Sequence, residues 1–192
     1  MILIQNGRVL DPVTNTDQVM DVLLDESGIV KTGAHLEAEG ADVIDASGLV
    51  VAPGLMDAHV HFRDPGLTYK EDIFTGAAAA ARGGFTTVVC MANTKPTVDN
   101  VETLDLVQKK GEKALIHVLQ AAAISKGLKG EELTDMEALA EAGAAGFTDD
   151  GIPLMDEKLI VSAMEKAKEL GLPLAFHEED PALISEPGVH KG

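Results

Sequence analysis

Two histidines one residue apart open the segment His59-Val60-His61-Phe62-Arg63-Asp64-Pro65-Gly66. In an extended strand side chains repeat with period two, so both imidazoles share a face and Arg63 lies just beyond them. Ala58, Val60 and Phe62 take the opposite face, suited to packing against helices. Paired imidazoles on an interior face are costly unless something binds them. A hydrogen-bonded pair is one answer, and a metal ion held by N and O donors is the other. Three further positions could join such a site. Asp149-Asp150 before Gly151 offers carboxylates for a metal, a helix N-cap or a solvated turn. His177 follows the apolar run 172–176 and reads as a ligand or as a core or surface histidine. Asn93, in Met91-Ala92-Asn93-Thr94, presents an amide suited to a carboxylate or amide substrate, or to a turn.

What would bring these residues together is the alternation of apolar runs and helical stretches that begins after Pro53-Gly54. The pattern predicts strands over 55–62, 85–91, 115–120, 145–147 and 172–176, with helices over 71–82, 101–113, 134–142 and 157–170. The cues are the alanine run 77–81 closed by Gly83-Gly84, and Leu104, Val107 and Gln108 at helical spacing. Thr134 with Glu137 reads as a capping box, and Leu159, Ile160, Ala163, Met164 and Ala167 form one apolar face closed by Gly171. Strands alternating with helices at this spacing imply βαβ units and a parallel sheet. In such folds reactive groups gather at the C-terminal strand ends, where His59 and His61, Asn93, Asp150 and His177 stand. Only the third strand contributes none.

Residues 1–52 differ. Short apolar runs at 2–4, 9–10, 19–24, 29–31, 43–44 and 49–51 are separated by turn signals such as Asn6-Gly7, Asp11-Pro12 and Ser27-Gly28, which predicts a small β domain, sandwich or partial sheet. The domain reading is therefore a β-sandwich-like unit over 1–52 and an α/β unit over 53–192. At 192 residues the chain is short for a complete (β/α)8 barrel, which takes about 250.

The chain carries 32 acidic and 15 basic residues, a formal net charge of −17. That charge excludes a basic nucleic-acid surface and docking on anionic membranes, while leaving room for a small anionic substrate held by one or two local cations. A single cysteine, Cys90, permits no internal disulfide and reads as a small packed hydrophobe. No signal peptide, transmembrane run, P-loop or nucleophile elbow is legible, and a cytoplasmic location is expected. His35 falls in the β domain, His117 is expected mid-strand and packed or hydrogen-bonded, and His190 falls in the C-terminal tail.

The segment from His59 to Gly66 resembles the signature of the dihydroorotase family of amidohydrolases. Met91 to Thr94, Asp149-Asp150-Gly151 and Phe176-His177 follow in the family's order, and Pro53 to His59 is also similar to the superfamily. The resemblance spans essentially the whole chain. Ala92 departs from it, because family members commonly have proline there. What the resemblance implies is a partial TIM-type barrel, strands one to five, after a small β-sandwich-like domain. It implies one or two zinc ions held by His59, His61, Asp150 and His177, with Asp150 standing where many relatives carry a bridging carboxylated lysine. His61, Arg63 and Asn93 would bind the substrate, Arg63 and Asn93 gripping its carboxylate. The implied reaction is the reversible hydrolysis of dihydroorotate to N-carbamoyl-aspartate. The aspartate that carries the proton, and a further metal-ligand histidine, are expected on later strands beyond residue 192. A homodimer and aspartate transcarbamoylase are the implied partners. Sibling readings are a hydantoinase or allantoinase, and a non-catalytic subunit scaffolding the transcarbamoylase; the Arg-Asp-Pro-Gly tail favours dihydroorotase over hydantoinase.

Overall fold

The computed structural model describes residues 1–184. The chain forms two compact units, Met1–Gly54 and Leu55–Gly192.

In the first unit five strands join one mixed sheet instead of two facing layers: β1 (Ile2–Asp11), β2 (Thr16–Asp25), β3 (Gly28–Gly33), β4 (Asp42–Asp45) and β5 (Val50–Val51). The order is β3-β2-β1-β4, with β5 also pairing β1. The expected turn at Asn6-Gly7 is a bulge, and β1 runs straight through it. Asn6 takes φ +63° and donates its backbone N–H to the buried Asp21 carboxylate at 2.8 Å, which replaces the lost ladder bond. Gly7 is required there, because a Cβ would lie 2.5 Å from Val51 Cγ2.

The second unit is α/β. Strands β6 (Leu55–Val60), β7 (Phe85–Cys90) and β8 (His117–Gln120) form a parallel sheet, and β9 (Phe147–Thr148) pairs in parallel with β10 (Leu174–Ala175). A parallel bridge between Ala122 and Phe147 stitches the two sheets, with the Ala122 N–H donating to the Gly146 carbonyl at 2.9 Å and the Thr148 N–H to the Ala122 carbonyl at 2.8 Å. Helices α1 (Ile73–Arg82), α2 (Val101–Gly111), α3 (Met136–Glu141) and α4 (Glu157–Leu170) fill the four crossovers. The core is aliphatic and alanine-rich: Ile73 and Ala77 of α1, Leu104 and Val107 of α2, Leu139 of α3, and Leu159 and Ala163 of α4 are buried beside Val88 and Phe147.

Helix ends follow side-chain capping. Asp72 accepts N–H bonds from Phe74 and Thr75, so α1 starts two residues later than the apolar pattern suggested. The N-cap of α3 is Asp135, not Thr134. Thr134 is buried, and its hydroxyl donates instead to the carbonyls of Ala123 and Ile124. On α4 the buried stripe is Leu159, Ala163 and Ala167, while Met164 faces solvent. Strand β6 ends at Val60, short of the expected 62, because the chain turns at Arg63 (φ +58°). Ala58 is exposed, whereas Phe62 is buried against α1, where a Cβ on Gly76 would lie 2.4 Å from its ring. That close approach, open only to glycine, seats the end of β6 and with it the residues that follow.

Candidate metal centre

His59 and His61 leave the end of β6 on one face, with ring centroids 5.2 Å apart in an edge-on arrangement. Asp150 arrives from the turn after β9 and stands opposite both. Its Oδ1 is 3.3 Å from His59 Nε2 and its Oδ2 is 3.3 Å from His61 Nε2. His177, two residues past β10, brings Nδ1 to 3.8 Å from Asp150 Oδ1, while its Nε2 lies 3.0 Å from Glu179 Oε2. One donor atom from each of His59, His61 and Asp150 fits within 4.8 Å of the others. The donor set fits a divalent cation, since a tetrahedron with Zn–N and Zn–O bonds of about 2.0–2.1 Å has edges of about 3.3 Å. Three side chains of this type, the carboxylate nearly covered and His59 half exposed, leave an approach open on the solvent side.

Each of these groups is held by its surroundings. The Asp150 N–H donates to the Thr148 hydroxyl at 3.0 Å, fixing the turn. Its neighbour Asp149 is 1% exposed and faces the other way. It accepts from the N–H groups of Ile124 and Ser125 and from the Ser125 hydroxyl. Burial pushes the Asp149 carboxyl above its ordinary value, against the pull of those three donors. The pair thus divides its work: Asp149 ties the end of β9 to the loop after β8, and Asp150 faces the imidazoles.

Asn93 lies after β7 as expected, but its amide is engaged within the cluster. Its Oδ1 meets His61 Nδ1 at 3.0 Å, and its Nδ2 donates to the Asp150 carboxylate and backbone carbonyl at 3.2 and 3.3 Å. With Nδ1 donating to the Asn93 oxygen, a neutral His61 would present its Nε2 lone pair on the Asp150 side, the usual arrangement for a ligand imidazole and its outer partner. Arg63 stands beyond His61, half-buried, with no carboxylate within 4 Å of its guanidinium among the described residues. Cys90 is buried, and its thiol is pushed up to about 12, chiefly by that burial. His117 begins β8 and is exposed, not packed: Val118 takes the inward position in that strand. His35 is in the first unit, and His190 lies outside the described residues. Sequence reasoning missed Asp149 as a tie, Glu179 as the partner of His177, and Lys110, whose Nζ meets the buried Asp64 carboxylate at 2.7 Å. Only Asp149 had a signal, the doubling of the aspartate.

The family model described as Dihydro-orotase-like matches residues 48–192. The chain belongs to this family. It is 62% identical over its whole length to a dihydroorotase of Clostridioides difficile and 55% identical to one of Clostridium acetobutylicum. It spans 46% of each, so it corresponds to about half the length of these dihydroorotase relatives. Among solved structures, an L-hydantoinase (dihydropyrimidinase) from Arthrobacter aurescens superimposes with a TM-score of 0.79 at 20% identity, covering 95% of this chain and 41% of that one. That likeness shows a shared fold.

Proposed function

We propose that the protein carrying this chain is a zinc-dependent dihydroorotase, which adds water across the ring amide of dihydroorotate to give N-carbamoyl-aspartate and runs the reverse closure. The observation that carries this reading is the meeting of His59, His61 and Asp150, from two strand ends about ninety residues apart, at donor separations of 3.3 Å. The five parallel strands are on this reading the first five of a (β/α)8 barrel, whose C-terminal face is the usual seat of such sites.

His59, His61, Asp150 and His177 would hold the metal, one ion or two. A zinc ion there would polarise the amide carbonyl and acidify a water molecule. The protein's own groups do the rest of the positioning. Arg63 offers two parallel N–H donors in the plane a carboxylate needs, so the substrate's carboxylate is fixed and the ring amide is turned toward the histidines. Asn93 keeps the His61 ring in one tautomer and, through Nδ2, limits the swing of Asp150; on this reading the same amide would also meet the substrate's carboxylate. His61 borders the same mouth. The homodimer and the aspartate transcarbamoylase partnership rest on the family resemblance alone.

The test is turnover by the purified full-length protein. Dihydroorotate should be consumed, and hydantoin and allantoin, which lack the carboxylate, should not. Arg63→Ala should raise KM for dihydroorotate by about 100-fold, the scale of a lost charge-assisted pair, while bound metal per protomer stays unchanged. Preferential turnover of hydantoin, or equal loss of metal and binding in Arg63→Ala, would overturn the assignment.

A further inference from the structure

Arg63 and Asp64 are adjacent opposite charges, yet among the described residues only Asp64 has an ion-pair partner. Arg63 occupies the left-handed region at φ +58°, a conformation that non-glycine residues adopt rarely and that local structure must enforce. Four contacts enforce it. Leu67 N–H closes the turn onto the Arg63 carbonyl at 2.9 Å, and Lys95 N–H donates to the Pro65 carbonyl at 3.1 Å. Gly66 presses so closely on the Lys95 carbonyl that a Cβ would stand 1.7 Å from the oxygen. The fourth is electrostatic: the Asp64 side chain is 4% exposed, and Lys110, from the last turn of α2, meets its Oδ1 at 2.7 Å.

In a chain with a net charge of −17, a lone guanidinium is readily neutralised by a neighbouring carboxylate, and Asp64 is the nearest in sequence. Burial of Asp64 demands a cationic partner, because an unpaired carboxylate inside the protein is strongly disfavoured. Lys110 supplies that partner from the far side of the turn. We propose that Lys110 is a positioning residue for substrate recognition: by sequestering Asp64 it keeps Arg63 uncompensated and free to take the carboxylate of an incoming substrate. This rests on the reading of Arg63 given above. Lys110 itself touches no substrate; it sets which carboxylate the guanidinium sees.

The experiment compares Lys110→Met, Lys110→Arg and the double variant Asp64→Asn/Lys110→Met with the unaltered full-length protein, reading KM and kcat for dihydroorotate, bound metal and melting temperature. Lys110→Met should raise KM by about tenfold or more, as expected when one partner of a buried pair is removed, with kcat and metal content within about twofold. Lys110→Arg should recover most of the binding. The double variant, which has no ion pair but also no competing carboxylate, should return KM to within about threefold of the unaltered protein. A purely structural pair gives a different pattern, with KM unmoved or moved only as far as melting temperature falls, and the double variant no better than the single one; that pattern would overturn the proposal. If Lys110→Met does not fold, the double variant decides alone: folded with recovered KM it supports the proposal, folded with raised KM it refutes it. Arg63→Ala separates the two levels. A raised KM there with an unmoved KM in Lys110→Met defeats only the sequestration, whereas an unmoved KM in Arg63→Ala removes the reading on which it rests.

Discussion

In the Met1–Gly54 unit aspartates close their own turns: Asp11 accepts from Val13 N–H and the Thr14 hydroxyl, Asp25 from both donors of Ser27, and Asp45 from both donors of Ser47. In the second unit Asp150 accepts no backbone N–H among the described residues and faces three imidazoles instead. Both arrangements use the same side chain at the end of a strand. The difference lies in who satisfies it. A carboxylate whose lone pairs are filled by N–H and O–H groups within three residues serves the backbone, whereas one left open to nitrogen ligands from distant strands is available to a cation. Asp149 and Asp150 make the same contrast between neighbours, one filled by Ile124 and Ser125 and the other left to the Asn93 side chain and the imidazoles.

The contrast is broken most directly at Asp150. Asp150→Ala should lower metal affinity by more than about 100-fold, beyond what losing an outer partner does, and abolish turnover by the full-length protein, with both read by elemental analysis and by assay. Retained metal would show that the three imidazoles suffice and that the open carboxylate is not what distinguishes the second unit.

Asp149→Ala should act on stability first. It strands two buried N–H groups, each worth about 1–3 kcal/mol, and the loss should appear in denaturant unfolding before any change in metal affinity is corrected for folding. Asp149→Asn sharpens the point through pH. Because burial holds the Asp149 carboxyl above the ordinary 3.8, its contribution to stability is full below that value and is lost as pH rises through the raised one. The unaltered protein should therefore lose stability relative to Asp149→Asn as pH rises above the ordinary carboxylate value.

The smallest effect belongs to the first unit. The Ser47 hydroxyl and its neighbours hold Asp45 below its ordinary value, so its contribution is present at neutral pH and is lost as pH falls. Asp45→Asn should flatten the acid limb of the stability curve slightly and leave metal content and turnover untouched. A shift in either of the latter would mean that the turn aspartates are not merely local.

These outcomes bear on what the chain's residues reveal without coordinates. The alternation of strand and helix was plain, because Leu104, Val107, Leu159 and Ala163 repeat with the helical period and their burial follows from it. The candidate ligands were legible for the same reason, since strand ends are predictable to within a few residues. Boundaries were less so: Asp135 took the cap expected of Thr134 because the threonine hydroxyl found buried carbonyls, a tertiary competition invisible to local pattern. Asn6-Gly7, a strong turn signal, became a bulge because Asp21 supplied the missing acceptor from fifteen residues away. Lys110 was illegible for the same cause on a longer scale, as its partner Asp64 lies forty-six residues earlier. Asn93 stands after its strand as the pattern predicts, yet its engagement with His61 and Asp150 depends on where three strands end, which no spacing encodes.

The tie made by Asp149 has a spectroscopic consequence. The amide protons of Ile124 and Ser125 end on a carboxylate whose neighbour in the chain stands at the candidate metal centre. Opening of the segment that carries them must release the β9 turn, and so must any movement that lets Asp150 swing away. Hydrogen–deuterium exchange at those two amides should slow when metal is added and quicken under a chelator, turning a pair of otherwise silent protons into a gauge of occupancy at a distance from the donors themselves.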